Sequence, residues 1–93
     1  SNVLPPDLTQ RLGGPARWSS LRPESLRLIA PEGAALAGTV TTLRYLGAGT
    51  RVVIEGPGTE LGVLVPAGQA LPAPGQSVGL AFDPAALHVM DEA

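Results

Sequence analysis

Two stretches near opposite ends of the chain spell almost the same phrase. Leu21-Arg22-Pro23-Glu24-Ser25-Leu26-Arg27-Leu28-Ile29 aligns, proline on proline, with Phe82-Asp83-Pro84-Ala85-Ala86-Leu87-His88-Val89-Met90. Each runs apolar, charged, Pro, two turn residues, Leu, a basic residue or His, then two apolar residues. Proline has no N–H to give a ladder, so each phrase reads as a strand that stops, turns and restarts. The restarted pairs, Leu26 with Leu28 and Leu87 with Val89, point back toward a core. Two kinked strands of this kind, laid side by side, would close a small barrel. Arg22 and Asp83 hold equivalent places with opposite charge, so they are expected to face each other, within one chain or between two. Exposed, such a pair stabilises by only about 0.2–1 kcal/mol, so its use would be to fix register.

The chain between these phrases reads as strands joined by tight turns. "LAGTVTTLRYLG" (36–47) places Leu36, Gly38 and Val40 on one face and Leu43 and Tyr45 on the opposite parity. A change of phase near Thr41–Thr42 is what a β-bulge produces, and it bends one strand to serve two sides of a barrel. "GAGTRVVIEG" and "PGTELGVLVP" answer each other across Gly56-Pro57-Gly58 as a hairpin, with Val52, Ile54, Leu61, Val63 and Val65 inward. After the loop "AGQALPAPGQ", "SVGLAFD" turns Val78, Leu80 and Phe82 inward and Ser77, Gly79 and Ala81 outward; "LHVM" closes the domain before an acidic tail. Upstream, "ARWSSLR" is a strand. Residues 1–15 show no alternation and read as a linker or N-terminal arm, with one helical turn after Pro6 and Asp7 as a weak cap; residues 16–93 are the barrel domain. The expectation from this pattern is an all-β fold, a small closed or nearly closed barrel of about seven short strands with no long helix.

Bulk composition agrees and narrows the function. Ninety-three residues, 44% hydrophobic and 15% charged, make one globular domain rather than a disordered segment. Twelve glycines and ten prolines favour strands and turns over long helices. The net charge is −2, lysine is absent and aromatics are 3%, so neither a phosphate-neutralising stripe nor a base-stacking platform exists and nucleic acid is not an expected partner. Without cysteine there is no disulfide or thiolate metal site. No apolar run reaches the roughly 20 residues a membrane helix needs, so direct membrane insertion is not expected. The opening Ser-Asn, in place of Met, suggests a processed terminus or a cloning scar, and the chain reads as a domain cut from something larger.

Read together, "LRPESLRL", "LAGTVTTLRYLGAGTRVVIE" and "LGVLVPAGQALPAPGQSVGLAFDPAALHVM" resemble the TOBE domain, the transport-associated OB-like module at the C-terminus of ATP-binding subunits of bacterial ABC importers. The likeness runs from about Leu21 to Met90. It rests on Arg22-Pro23-Glu24, the Gly38–Val40 strand, Tyr45-Leu46-Gly47, the Val-rich hairpin, Pro74-Gly75 and the Phe82–Leu87 element. It implies an accessory, regulatory and dimerisation domain in solute import. The partners it implies are a second copy of the same subunit and, through an ATPase domain outside this chain, membrane permease subunits. It also implies a cytoplasmic location at the inner face of the membrane. No G-x-x-x-x-G-K-[ST] motif is present, so ATP and Mg²⁺ would belong to that other domain and this chain needs no cofactor of its own. The Ser-Ala-Arg-Asn element of related molybdate-binding modules is absent.

Candidate site residues divide by chemistry. Arg22 and Glu24 stand in the signature element, either ordering the turn or contacting a ligand or regulator. Arg44 and Arg51 are the other donors that a stand-alone small-molecule module, taking an oxyanion or a sugar, would use. The Gly47-Ala48-Gly49 turn offers backbone N–H groups to an anion or simply connects two strands. Val53 and Leu64 fall on outer faces; with Ser77, Gly79 and Ala81 they would form a flat apolar patch, an interface, unless the sheet folds over them. Trp18 anchors the arm, meets a second protomer or enters the core. His88 is a solvated or interface histidine, because one His without Cys or carboxylate partners makes no metal site. Serines 19, 20, 25 and 77 lack a nucleophile-elbow context and the carboxylates lie scattered, so no catalytic residue is expected and this chain is not an enzyme.

Overall fold

The computed structural model describes residues 1–91, which leaves the Glu92 part of the acidic tail outside the described residues. Its strands are β1 (Asn2–Leu4), β2 (Ser19–Leu21), β3 (Arg27–Ile29), β4 (Leu36–Tyr45), β5 (Gly49–Gly56), β6 (Thr59–Pro66), β7 (Ser77–Ala81) and β8 (His88–Val89). One helix, α1 (Pro6–Arg11), and two 3₁₀ turns, Pro23–Ser25 and Pro84–Ala86, complete the elements. The strands form two sheets, β1-β2-β8 and β3-β7-β4-β5-β6, with every pairing antiparallel. This is the all-β architecture of short strands that the sequence pattern predicts, and it is consistent with the OB-like fold that the resemblance implies.

The repeated phrase is the hinge between the sheets. Each proline starts a 3₁₀ turn from an extended residue, Arg22 (φ −74°, ψ 146°) or Asp83 (φ −72°, ψ 126°). The first copy passes from β2 into β3 and the second from β7 into β8, so each strand changes sheet at its proline. The copies lie side by side and antiparallel: Ser19 pairs with Val89 and Arg27 with Ala81, the same register on both sides of the turns. No residue is gained or lost across the kink, because both copies break the ladder with the same three-residue turn.

Within one chain the opposite charges do not meet. No ion pair joins Arg22 to Asp83 among the described residues, where the one ion pair is Arg17–Asp91 at 3.3 Å. Asp83 Oδ1 instead accepts from Ala85 N at 2.9 Å and caps its own turn, whereas Arg22 makes no capping bond. A short carboxylate reaches a backbone N–H two residues on; a guanidinium carries only donors.

The longest strand bends where the phase change predicts. β4 pairs Val40 with Ile54 and Thr42 with Val53, so Thr41 is the extra residue. Its hydroxyl donates to Val53 O at 3.2 Å. The β5–β6 hairpin closes on Pro57 and Gly58, where Gly58 adopts φ +74°, the left-handed geometry a Pro-Gly turn requires.

The N-terminal residues depart from the expected arm. β1 pairs with β2, and Leu4 and Leu8 are 0% and 2% exposed in the same core as Leu21, Leu36, Val52, Ile54, Leu61 and Val63. The helical turn after Pro6 is present, but Asp7 lies within its first turn and Pro5 holds the capping position without a side-chain bond. Thr9 and Ser19, both fully buried, share a 2.7 Å hydroxyl–hydroxyl bond that ties α1 to β2. The seam between β1 and β6 is closed by side chains, chiefly that of Asn2. Asn2 Nδ2 donates to Gly62 O at 2.8 Å, and Gly62 N donates to Asn2 Oδ1 at 2.7 Å. The amide does there what a peptide group of a paired strand would do, and Thr59 Oγ1 adds a bond to Val3 O at 3.2 Å.

Candidate functional site

Because β4, β5 and β6 are the longest strands, they present the widest outer face, and their register sorts it into rows. Arg44, Arg51 and Leu64 stand abreast; then Thr42, Val53 and Gly62; then Thr39, Glu55 and Glu60. The intervening rows, such as Leu43-Val52-Val63 and Val40-Ile54-Leu61, point into the core. Arg44 and Arg51 are therefore brought together, directly opposite each other. The Arg51 guanidinium lies over Gly62, filling the space a side chain there would take.

Val53 and Leu64 are on this face as parity implies, half-buried and 37% exposed respectively. The flat patch expected to join them to Ser77, Gly79 and Ala81 does not form. β4 lies between β5 and β7. Gly79 is buried under the turn that follows β3: a Cβ there would stand 2.5 Å from Ala30 O and 2.7 Å from the Ala34 methyl. Alternation identifies a strand's face, not what folds across it.

Leu64 also borders an apolar groove of about 810 Å³ between β3 and β6. Glu24 lies at its rim with Arg27, and Leu26, Leu28, Ile29 and Leu46 line it. A smaller hollow beside it, sharing Gly49, Pro66 and Gln69, holds Tyr45 and Leu71. Of the six large hydrophobic residues exposed in the structure, five therefore surround these two adjoining hollows; Val3 is the exception.

Arg22 is elsewhere. It lines a polar hollow of about 510 Å³ with Ser20, Ser25 and His88, where Ser20 and His88 are cross-strand partners. The signature element thus splits, with Arg22 facing the polar hollow and Glu24 the apolar groove. The Gly47-Ala48-Gly49 turn is a hairpin connection whose Ala48 N–H donates to Leu46 O at 3.0 Å, inward to its own turn. Trp18 is half-buried outside the core cluster, its carbonyl accepting from Met90 N at 2.8 Å. Sequence reasoning missed Asn2 and Ile29: Asn2 closes the seam through its side chain, which leaves no periodic signal, and Ile29 sits at a strand end where parity is ambiguous.

The described residues thus form a small two-sheet β-barrel whose kinked strands cross between the sheets, with hollows at its surface. The family model for the TOBE domain matches residues 19–90, and the chain belongs to that family. The chain is also similar to an uncharacterized ABC transporter ATP-binding protein, y4fO, of Sinorhizobium fredii (strain NBRC 101917 / NGR234). The two are 38% identical over 94 residues, an alignment that covers 99% of this chain and 27% of that protein. The chain therefore spans about a quarter of the length of this relative.

Proposed function

We propose that this barrel is the C-terminal accessory domain of an ATP-binding subunit of an ABC importer. In that role it contributes surface rather than chemistry, holding two such subunits together while their nucleotide domains open and close. ATP and Mg²⁺ would be handled by the rest of that protein, which would also contact the permease at the inner face of the membrane. The observation that carries the reading is the gathering of Ile29, Leu46, Leu64, Tyr45 and Leu71 at one end of a TOBE barrel. Exposed apolar residues concentrated in this way mark a contact with another surface. No helix of the described residues is long and apolar enough to cross a membrane.

The polar hollow at Arg22 favours a second reading, a stand-alone module for a small oxyanion or sugar. An antibody against the barrel, used on extracts of the source cells, separates the two. The importer reading expects a product several times larger than 9.4 kDa that sediments with membranes. A free 9.4 kDa species overturns it and leaves the small-molecule module.

A further inference from the structure

β3 and β6 are the two end strands of the five-stranded sheet, and they flank the apolar groove of about 810 Å³ from opposite sides. No backbone hydrogen bond joins them among the described residues. The bonds that are made show which groups point into the groove. Gly62 N and O turn away from β5, because both bond to Asn2. Alternate residues of a strand face the same neighbour, so the N–H and C=O of Leu64 leave β6 on that same outer edge. On the other side, Val40 N donates to Gln76 O and Val40 O accepts from Gly75 N, so Val40 faces the β7 side of β4. By the same alternation Gly38 and Leu36 bond to Val78 and Leu80. Gly79 and Ala81 are then left to bond Ile29 and Arg27, which turns the N–H and C=O of Leu28 away from β7 and into the groove. Two edges thus confront each other, each with an unused donor and acceptor.

An unpaired strand edge is a template for another strand. Asn2 already shows this on β6, where its amide takes the place of a peptide group at Gly62, the neighbouring position on the same edge. Four antiparallel pairings separate β3 from β6, so the two run in the same direction, and one segment running the opposite way can pair with both. Its parity fits as well. A residue set opposite Leu64 carries its side chain outward beside that exposed leucine. The next residue, set opposite Leu28, carries its side chain inward against Leu28, Val63 and Val65 of the core. Charge narrows the outward positions. Arg44 and Arg51 stand abreast of Leu64 and Arg27 lines the groove from β3, against one carboxylate, Glu24. None of these four is in an ion pair among the described residues. We infer that the groove takes an extended segment of another polypeptide as an added strand between β3 and β6, apolar at its inward positions and acidic at its outward ones. The described ends of this chain are held elsewhere, Asn2 by Gly62 and Met90 by Trp18. This inference rests on the proposed reading of that end of the barrel as a contact surface, and not on the transporter itself.

The test is an NMR titration of the chain with a capped pentapeptide, Val-Glu-Val-Glu-Val. Binding is expected with a dissociation constant below about 1 mM, with the largest shifts at the amides of Leu28 and Leu64 and slowed hydrogen exchange at both. Two changes to the peptide probe the chemistry without touching the fold. N-methylation of its backbone amides and replacement of its Glu by Lys each weaken binding at least about tenfold. L64P removes one edge donor from a strand that already carries Pro66, and it weakens binding to a similar degree; amide dispersion checks its fold. Absence of binding at several times that concentration, or equal binding of the methylated or the Lys peptide, overturns the proposal. So do Leu28 and Leu64 amides that are protected in the chain alone, which would show direct pairing of β3 with β6. Shifts of the same amides on dilution of the chain alone would show that a second copy covers the edges, and they overturn it too. The size of the native gene product, which decides the transporter reading, is unaffected by any of these outcomes.

Discussion

Asn2 and Gly62, sixty positions apart, are joined by two hydrogen bonds through which one side-chain amide completes the barrel wall. Asn2 is 4% exposed and Gly62 is buried, so water is not a ready alternative partner for either Gly62 group. The bonding also fixes the amide's orientation, since nitrogen must donate to the carbonyl and oxygen must accept from the N–H. Asn2→Ala leaves a buried donor and acceptor unmet, and unmet buried groups cost about 1–3 kcal/mol. Urea denaturation is expected to show a loss in that range with an unchanged slope. A change below about 0.3 kcal/mol would show that packing and the Thr59–Val3 bond hold the seam without the amide.

A chain beginning at Ala16 tests the wider role of the N-terminal residues. It loses Leu4 and Leu8, each worth about 1.5–3 kcal/mol of burial, together with the seam. Set against a total stability of about 5–15 kcal/mol for a domain, the deletion removes a large share. The expected outcome is a collapsed chain with poor amide dispersion that binds hydrophobic dye. A well-dispersed spectrum would show the barrel to be self-sufficient from β2 onward.

Gly79 is the position where the covering turn presses closest on β7. Gly79→Val places a branched side chain against Ala30 O and the Ala34 methyl. Overpacking of this kind costs about 1–3 kcal/mol. The melting temperature should fall, and the amide shifts that move most should be those of residues 30–34, because the turn is the part able to yield.

Arg22 and Asp83 provide a test of the kinked repeat. Asp83→Ala removes the bond to Ala85 N and is expected to cost about 0.5–1 kcal/mol by analogy with a helix cap. Arg22→Ala should cost less, having no capping bond to lose. The double-mutant cycle should show coupling within about 0.3 kcal/mol of zero, since the two side chains do not meet within the chain. A larger coupling would show that they meet in solution.

Much of the barrel is legible in the sequence for specific reasons. The bulge at Thr41 shows because Leu36, Val40 and Leu43 cannot share one parity. The two sheet-changing kinks show because proline forbids a continuous ladder at Pro23 and Pro84. β1 does not show: it is three residues long, Val3 points outward, and its tie to β6 runs through a side chain that hydrophobic periodicity cannot register. The surface was only half legible. Parity correctly places Val53 and Leu64 outside, and the register needed to set Arg44 against Arg51 and Glu55 against Glu60 follows only once the bulge and hairpin are fixed. The cover over Gly79 comes from a turn whose path has no periodic signature.

The order in which partners occur along the chain has a consequence for how the barrel is made. Of the barrel's own strands β1 is synthesised before the rest, yet the backbone that receives Asn2 lies in β6, and β2 finds its second neighbour only in β8. Neither sheet can be completed until nearly the whole chain has left the ribosome. Closing such distant pairs carries a loop-entropy cost before the contacts repay it, so folding is expected to be cooperative and slow for a chain of this size, on a millisecond-to-second scale. Until then the leucines of the first residues have no core to enter. An N-terminal fragment of this domain is thus an exposed chain rather than a smaller version of the barrel.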